Sequence, residues 1–250
     1  CTTALTTCKK ITEEYKVSNT FCVATSALRQ ANNQKYILSE INKCGFHPIV
    51  ISGNQEAIYV GNSVLHEFSD QLNNAVVVDI GGGSTEFIFI KDKIIEDVKS
   101  INLGTVSLTN LFKKSDPIIA SEIISCNNYI TSILKDCNFS FKNVDTMIGV
   151  GGTVTTLCAI FNRINPYDAA KIHKIVISRN SLKQLENKLI FRNLDYRKKI
   201  SGLHPLRAEV IPVGLLILSS IIDFFNLQQL TVCDRGLRWG VLWKNIEEDV

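Results

Sequence analysis

The stretch that most constrains this chain is Val76-Val77-Val78-Asp79-Ile80-Gly81-Gly82-Gly83-Ser84-Thr85-Glu86-Phe87-Ile88-Phe89-Ile90. An apolar run ends in an acid, crosses three glycines and a hydroxyl pair, and resumes as a second apolar run. The pattern predicts a strand, a tight loop and a strand. With the loop at residues 81–84, Ile80 faces Thr85 and Asp79 faces Glu86. Opposed residues in a hairpin have Cβ atoms roughly 4.5–5.5 Å apart, where like charges are unfavourable. A divalent cation, or a water held by one, relieves that repulsion. Glycines let the backbone come close to a bound group, so that N–H donors converge on an anion. The stretch points to a metal–phosphate site. The plainer alternative is a surface hairpin whose acids sit in water.

Around this hairpin, helix-compatible segments alternate with short apolar strands, which predicts an α/β fold. Helices are expected at residues 3–15, 26–43 (capped by Ser26), 53–65, 106–112, 120–134, 153–161, 181–190, 206–225 and 236–246. Strands are expected at 21–25, 48–52, 144–150, 172–178 and 229–233, with a third hairpin strand at 94–101. The longest apolar run, residues 210–225, contains Pro212 and Asp223 and is too short to span a bilayer comfortably. It reads as a buried core helix, and no membrane association is expected.

A second glycine cluster, Gly149-Val150-Gly151-Gly152-Thr153, carries a strand into a helix. A helix N-terminus offers free N–H groups and a partial positive charge. The cluster is neither a Rossmann fingerprint nor a P-loop, and a tight strand-to-helix turn explains it equally well. Two more segments carry candidate groups. In Ser52-Gly53-Asn54-Gln55-Glu56-Ala57 the acid lies in the first turn of a helix, where it either favours the helix dipole or serves chemistry. In Thr25-Ser26-Ala27-Leu28-Arg29 the arginine is either a solvated helix residue or a phosphate clamp. The four histidines are scattered and supply no evident base or ligand.

The net charge of +3 does not by itself call for nucleic acid, which is not an expected partner, but suits an anionic substrate. Eight cysteines include no Cys-x-x-Cys pair. Most stand in apolar surroundings and read as buried free thiols of a reducing cytoplasm. The chain begins at Cys1 and its one methionine is Met147.

In order along the chain, Ala24-Thr25-Ser26-Ala27-Leu28-Arg29, Ser52-Gly53-x-x-Glu56-Ala57, the Asp79–Glu86 hairpin loop, Gly149-Val150-Gly151-Gly152-Thr153, Leu203-x-Pro205-x-Arg207-Ala208-Glu209 and Asp234-Arg235-Gly236-Leu237-Arg238 together resemble the exopolyphosphatase / guanosine pentaphosphate phosphohydrolase (Ppx/GppA) family. The resemblance implies the two-lobed actin-like ATPase / sugar-kinase (ribonuclease H-like) superfold. Residues 1–70 would be the remainder of the first lobe and 71–235 the second. Residues 236–250 would pack back on the first lobe. The family's opening strand with its Asp-x-Gly-Ser-Asn loop has no counterpart here, so the first lobe is expected to lack its initial strands. Gln55 and Ile58 stand where the family commonly has Glu and Arg.

The resemblance also implies roles. Glu56 would orient or deprotonate the attacking water, and Asp79 and Glu86 would hold Mg²⁺ or its waters. Gly81, Gly82, Gly83, Ser84 and Thr85, with Gly151, Gly152 and Thr153, would cradle phosphates, and Arg29 would bind one. The implied substrate is polyphosphate or guanosine pentaphosphate, and a homodimer is a family-level expectation. Two other readings stay open: an acceptor-dependent phosphotransferase of the sugar or acetate kinase type, and a non-catalytic binder of polyphosphate or guanosine alarmones.

Overall fold

Alternation along the central hairpin decides the layers. The computed structural model describes residues 2–68, 72–139 and 143–248. Strands β3 (Asn74–Ile80) and β4 (Thr85–Lys91) pair antiparallel in the expected register, Asp79 opposite Glu86 and Ile80 opposite Thr85. The third hairpin strand, β5 (Ile94–Ile101), continues the meander. On the other side of β3, β6 (Thr146–Val150) and then β8 (Gln229–Cys233) run parallel to it, and β7 (Val176–Ser178) closes the sheet antiparallel. The order is β5-β4-β3-β6-β8-β7.

Successive strand side chains point to opposite faces. Val76, Val78, Ile80, Phe87 and Phe89 face one core. It is built with α5 (Thr105–Phe112), α6 (Ala120–Asp136), α7 (Gly151–Asn162), α9 (Arg179–Leu189) and α11 (Ile211–Phe224). Ala75, Val77, Ile88 and Ile90 face a second core under α4 (Gly53–Phe68). The closing helix α12 (Leu237–Glu248) lies on α4 so closely that a Cβ at Gly240 would overlap the Tyr59 carbonyl.

Ahead of α4 stand α1 (Thr2–Glu14), the two-residue strands β1 (Val23–Ala24) and β2 (Ile49–Val50), which pair parallel, and helices α2 (Ser26–Arg29) and α3 (Gln34–Lys43). Among the described residues none before Ala57 belongs to either core cluster, and α1 buries none of its side chains.

Five expected elements differ, the strands at 21–25 and 48–52 among them, each reduced to the two residues of β1 and β2. The single helix at 26–43 is two, separated at 30–33, where Asn32 and Asn33 are poor helix formers. The helix expected at 206–225 starts instead at Ile211, since the Pro212 ring is compatible only with a helix's first turn. Pro205–Arg207 forms a separate 3-10 turn before it. The strand at 172–178 shrinks to β7, its start replaced by α8 (Ala169–Ile172), one helical turn capped by Asp168, whose carboxylate accepts from the N–H groups of Ala170 and Lys171. The apolar run itself is, as expected, a buried core helix from Ile211 to Ile222.

All seven described cysteines are unpaired, but only Cys126, Cys158 and Cys233 are buried. Burial pushes these thiols up to about 11, 11 and 12. Cys22, Cys44 and Cys137 are half-buried and Cys8 is exposed, which corrects the expectation that most are buried. Among the described residues no helix is long and apolar enough to cross a membrane.

Candidate active site

The two-residue period that sends Ala75 and Val77 under α4 sends Asp79 the same way, and Glu86 follows Ile88 and Ile90. Both acids therefore face the N-terminal end of α4. That end can seat there because residue 53 is glycine: a Cβ would overlap the Ser100 side chain of β5. Glu56, one turn into α4, is brought over the pair. The cluster thus joins the first turn of a helix to a β-hairpin.

The three carboxyls feel one another. Glu86 is 1% exposed and pushed up to about 8, first by burial and then by the charges of Asp79 and Glu56. Hydrogen bonds from Ser100, 2.7 Å to Glu86 Oε1, and from Ser84 act in the opposite direction. Asp79 keeps an edge open to solvent and is pushed up to about 7, first by burial and then by Glu56. Glu56 is also raised by burial, against the pull of Arg29. Arg29 Nη1 donates to the Ile51 carbonyl at 2.8 Å and to Glu56 Oε2 at 3.4 Å. It is a fixed member of the cluster, not a solvated helix residue.

The first glycine loop is closed by the Gly81 N–H donating to the Ser84 carbonyl at 2.9 Å. The start of α5 holds its carbonyls: Thr105 N–H donates to Gly81 at 3.0 Å, and Val106 and Ser107 to Gly82 at 2.9 and 3.2 Å. The N–H groups of Gly82, Gly83 and Ser84 meet no backbone acceptor among the described residues. A Cβ on Gly83 would stand 2.7 Å from Ser26 Oγ. Ser26 is buried, and its hydroxyl has no partner among the described residues. It was expected as a helix cap; Thr25 occupies that position, and the Ser26 hydroxyl faces the glycine loop instead.

The second loop abuts the acids. Gly151 has φ +80°, and a Cβ there would overlap Asp79 Oδ1, so glycine is required twice over. Gly152 lies beneath the Arg207 guanidinium, which a Cβ would displace. The threonine hydroxyls expected at phosphates point elsewhere. Thr153 Oγ1 donates to the Ile80 carbonyl at 2.9 Å, and Thr85 Oγ1 to the Leu103 carbonyl. What Thr153 offers a ligand is its N–H in the first turn of α7.

A cleft of 710 Å³ opens beside this loop. Asp79, Gly151 and Gly152 line it, while Glu56, Glu86 and Arg29 do not. Its other walls include Arg207, Arg238, Leu203 and a Tyr167–Asp234 hydrogen bond. Ser100 was missed in the sequence although the hairpin register, Glu86 opposite Ser100, carries the signal. Arg207 and Tyr167 sit in irregular segments whose spacing has no period to read.

The donors near Asp79 and Glu86 are all oxygens: two carboxylates and the hydroxyls of Ser84 and Ser100. Among the described residues, no three acids stand close enough to ligate one ion. Asp79 and Glu86 are the two carboxylates that could hold a hard cation such as Mg²⁺, which takes one or two carboxylates and completes its shell with water and phosphate oxygens.

The Ppx/GppA phosphatase family model matches residues 1–248. The chain is 30% identical over 249 residues to a bifunctional 3-dehydroquinate synthase/phosphatase of Fusobacterium nucleatum, over 96% of this chain and 37% of that protein. It is 27% identical over 251 residues to exopolyphosphatase 2 of Mycobacterium tuberculosis, over 96% and 78%. A guanosine-5'-triphosphate,3'-diphosphate pyrophosphatase of Vibrio cholerae is 29% identical over 241 residues, over 94% and 46%. The chain thus spans less than half the length of the first and third of these relatives. Among solved structures, an Aquifex aeolicus Ppx/GppA family member superposes with a TM-score of 0.85 at 32% identity, over 99% of this chain and 80% of that one. The α/β class and the actin-like ATPase superfold expected from the sequence both hold.

Proposed function

This chain belongs to the Ppx/GppA phosphatase family, and on that premise we propose that it is a Mg²⁺-dependent phosphoanhydride hydrolase releasing the terminal phosphate of inorganic polyphosphate or the 5′ γ-phosphate of guanosine pentaphosphate. The observation that carries the reading is the convergence of Glu56, Asp79 and Glu86, all held above the usual carboxylate range, beside two glycine loops. Burial lifts Glu56 above its ordinary value, against the pull of Arg29, and so makes its carboxylate a stronger base toward an attacking water.

In this reading Glu56 accepts the proton of that water. Arg29 fixes the Glu56 carboxylate in place and turns its remaining N–H groups toward the terminal phosphate. The free N–H groups of Gly82, Gly83 and Ser84 and those of Gly152 and Thr153 donate to its oxygens, and the unpartnered Ser26 hydroxyl joins the first set. Asp79 and Glu86 would hold Mg²⁺, which when bound neutralises charge on the transferred phosphoryl. No covalent nucleophile is required. The remaining phosphates, or a guanosine, extend into the 710 Å³ cleft under Arg207 and Arg238. The free thiols favour a reducing compartment, and we place the protein in the cytoplasm.

Glu56→Gln tests the assignment. It should reduce phosphate release by about 10²–10⁴, the share a general base supplies, with folding and substrate binding kept. Turnover that needs an acceptor hydroxyl or carboxylate would favour the phosphotransferase reading, and saturable binding without turnover the non-catalytic one.

A further inference from the structure

Charge is unevenly spread along this chain. Residues 163–207 hold eleven Lys or Arg against three Asp or Glu, a local excess of eight in a chain of net charge +3. Some of these cations are neutralised in place. Arg197 is buried against Asp116 at 2.7 Å, Arg179 pairs with Asp223 at 2.7 Å, and Lys171 with Asp168 at 3.2 Å. Arg163, Lys188 and Lys199 are different. All three are exposed, and all three line one shallow depression of 280 Å³ with Tyr196, Ile200 and Ser201. Neither Glu186 nor Asp195, the nearby acids of the segment, lines it.

Helix ends explain part of this charge. Arg163 caps α7, Lys188 lies in the last turn of α9, and Lys199 follows α10 (Leu194–Arg197). Each helix C-terminus carries at most about half a negative charge, and α10 is a single turn. Three full positive charges leave a surplus that the helix dipoles do not absorb.

The position of the depression matters as much as its charge. Ile164 and Gly202 line the substrate cleft, while their chain neighbours Arg163 and Ser201 line the basic depression. The two rims are one residue apart, about 3.8 Å between successive Cα atoms. A long anion that lay in the cleft and crossed this rim would meet the three cations.

We propose that Arg163, Lys188 and Lys199 form a second, non-catalytic subsite for the distal phosphates of an extended polyphosphate chain whose end lies at the acids. The proposal rests on the hydrolase reading above and narrows its substrate class: a linear polyanion long enough to reach both depressions gains from the subsite, and a short one does not. A single-stranded nucleic acid would meet the same cations, but the depression offers one aromatic ring, Tyr196, where successive bases want several to stack on.

The test is Lys188→Gln/Lys199→Gln and the charge-reversed Lys188→Glu/Lys199→Glu, two surface changes that spare both cores. KM for long-chain polyphosphate should rise about fivefold or more in the reversed variant at low salt, with the neutral variant between, while KM for tripolyphosphate stays within about twofold. Binding of labelled long-chain polyphosphate should weaken in parallel, and tripolyphosphate binding should not. An unchanged KM for the long chain, or equal shifts for long and short chains, would overturn the subsite. Single-stranded RNA competing as well as polyphosphate at equal phosphate concentration would overturn its assignment to polyphosphate. The binding arm separates this proposal from the hydrolase reading. Without turnover on any substrate the hydrolase reading fails, and the change in long-chain binding still decides the subsite.

Discussion

Glu86 shows how single groups set this site. It is closed to solvent, faces two other acids, and is held by the Ser100 and Ser84 hydroxyls, which favour its charged form. Removing one of them in Ser100→Ala should raise the Glu86 pKa further, so the acidic limb of the pH–rate profile moves to higher pH by several tenths of a unit. A limb that stays in place would show that Glu86 does not titrate in the working range. Gly151→Ala is predicted to be harsher. It puts a side chain at φ +80° and against the Asp79 carboxylate. The loss should be about 2 kcal/mol or more in stability, with activity falling further than the stability loss alone explains. At this scale the sequence was legible wherever a regular element carried the residue. Asp79 and Glu86 follow from strand alternation and hairpin register. Ser26, Arg207 and Tyr167 did not, because they act across space from loops or short turns.

At the scale of elements, the placement of Glu56 depends on how α4 is wedged between the large sheet and α12. Gly240 permits that contact, since a Cβ would overlap the Tyr59 carbonyl. Gly240→Ala should therefore destabilise the protein by about 1–3 kcal/mol, despite alanine's better helix propensity, and chemical denaturation measures it. A stabilised variant would show that the two helices separate freely. The start of α12 is also tied to α4 by Glu67, which binds Arg235 and lies 3.1 Å from His173. Most elements were legible because their periods are long and clean: β3, β4, β5 and β8 fall where their apolar patterns put them. Three of the misplaced boundaries are at local conflicts. Asn32 and Asn33 lie where a helix breaks, Pro212 starts one, and Asp168 caps a turn that runs into the start of an apolar stretch.

For the whole molecule, the acid cluster makes stability depend on pH with a definite sign. Asp79 and Glu86 bind protons more tightly folded than unfolded, since burial lifts them to about 7 and 8. Their favourable contribution is complete below their ordinary values near 4 and is lost as pH rises through the folded values. Without divalent cation, Tm should fall by several degrees between about pH 5 and pH 8, at ~2–4 °C per kcal/mol. Mg²⁺ should restore it at pH 8 more than at pH 5, because it binds the deprotonated acids. A pH-independent Tm, or equal stabilisation at both values, would contradict the coupling. The superfold was legible from the order of motifs along the chain. The layering of α4 over the hairpin acids was not, because a helix's partner sheet leaves no periodic mark in its own sequence.

The most direct test of the central claim is phosphate release from polyphosphate and from guanosine pentaphosphate, by the wild-type protein and Glu56→Gln, with and without Mg²⁺. The account predicts acceptor-independent, Mg²⁺-dependent release from at least one substrate by the wild type, and its near-complete loss in a folded Glu56→Gln variant. Equal release by the two proteins would contradict it.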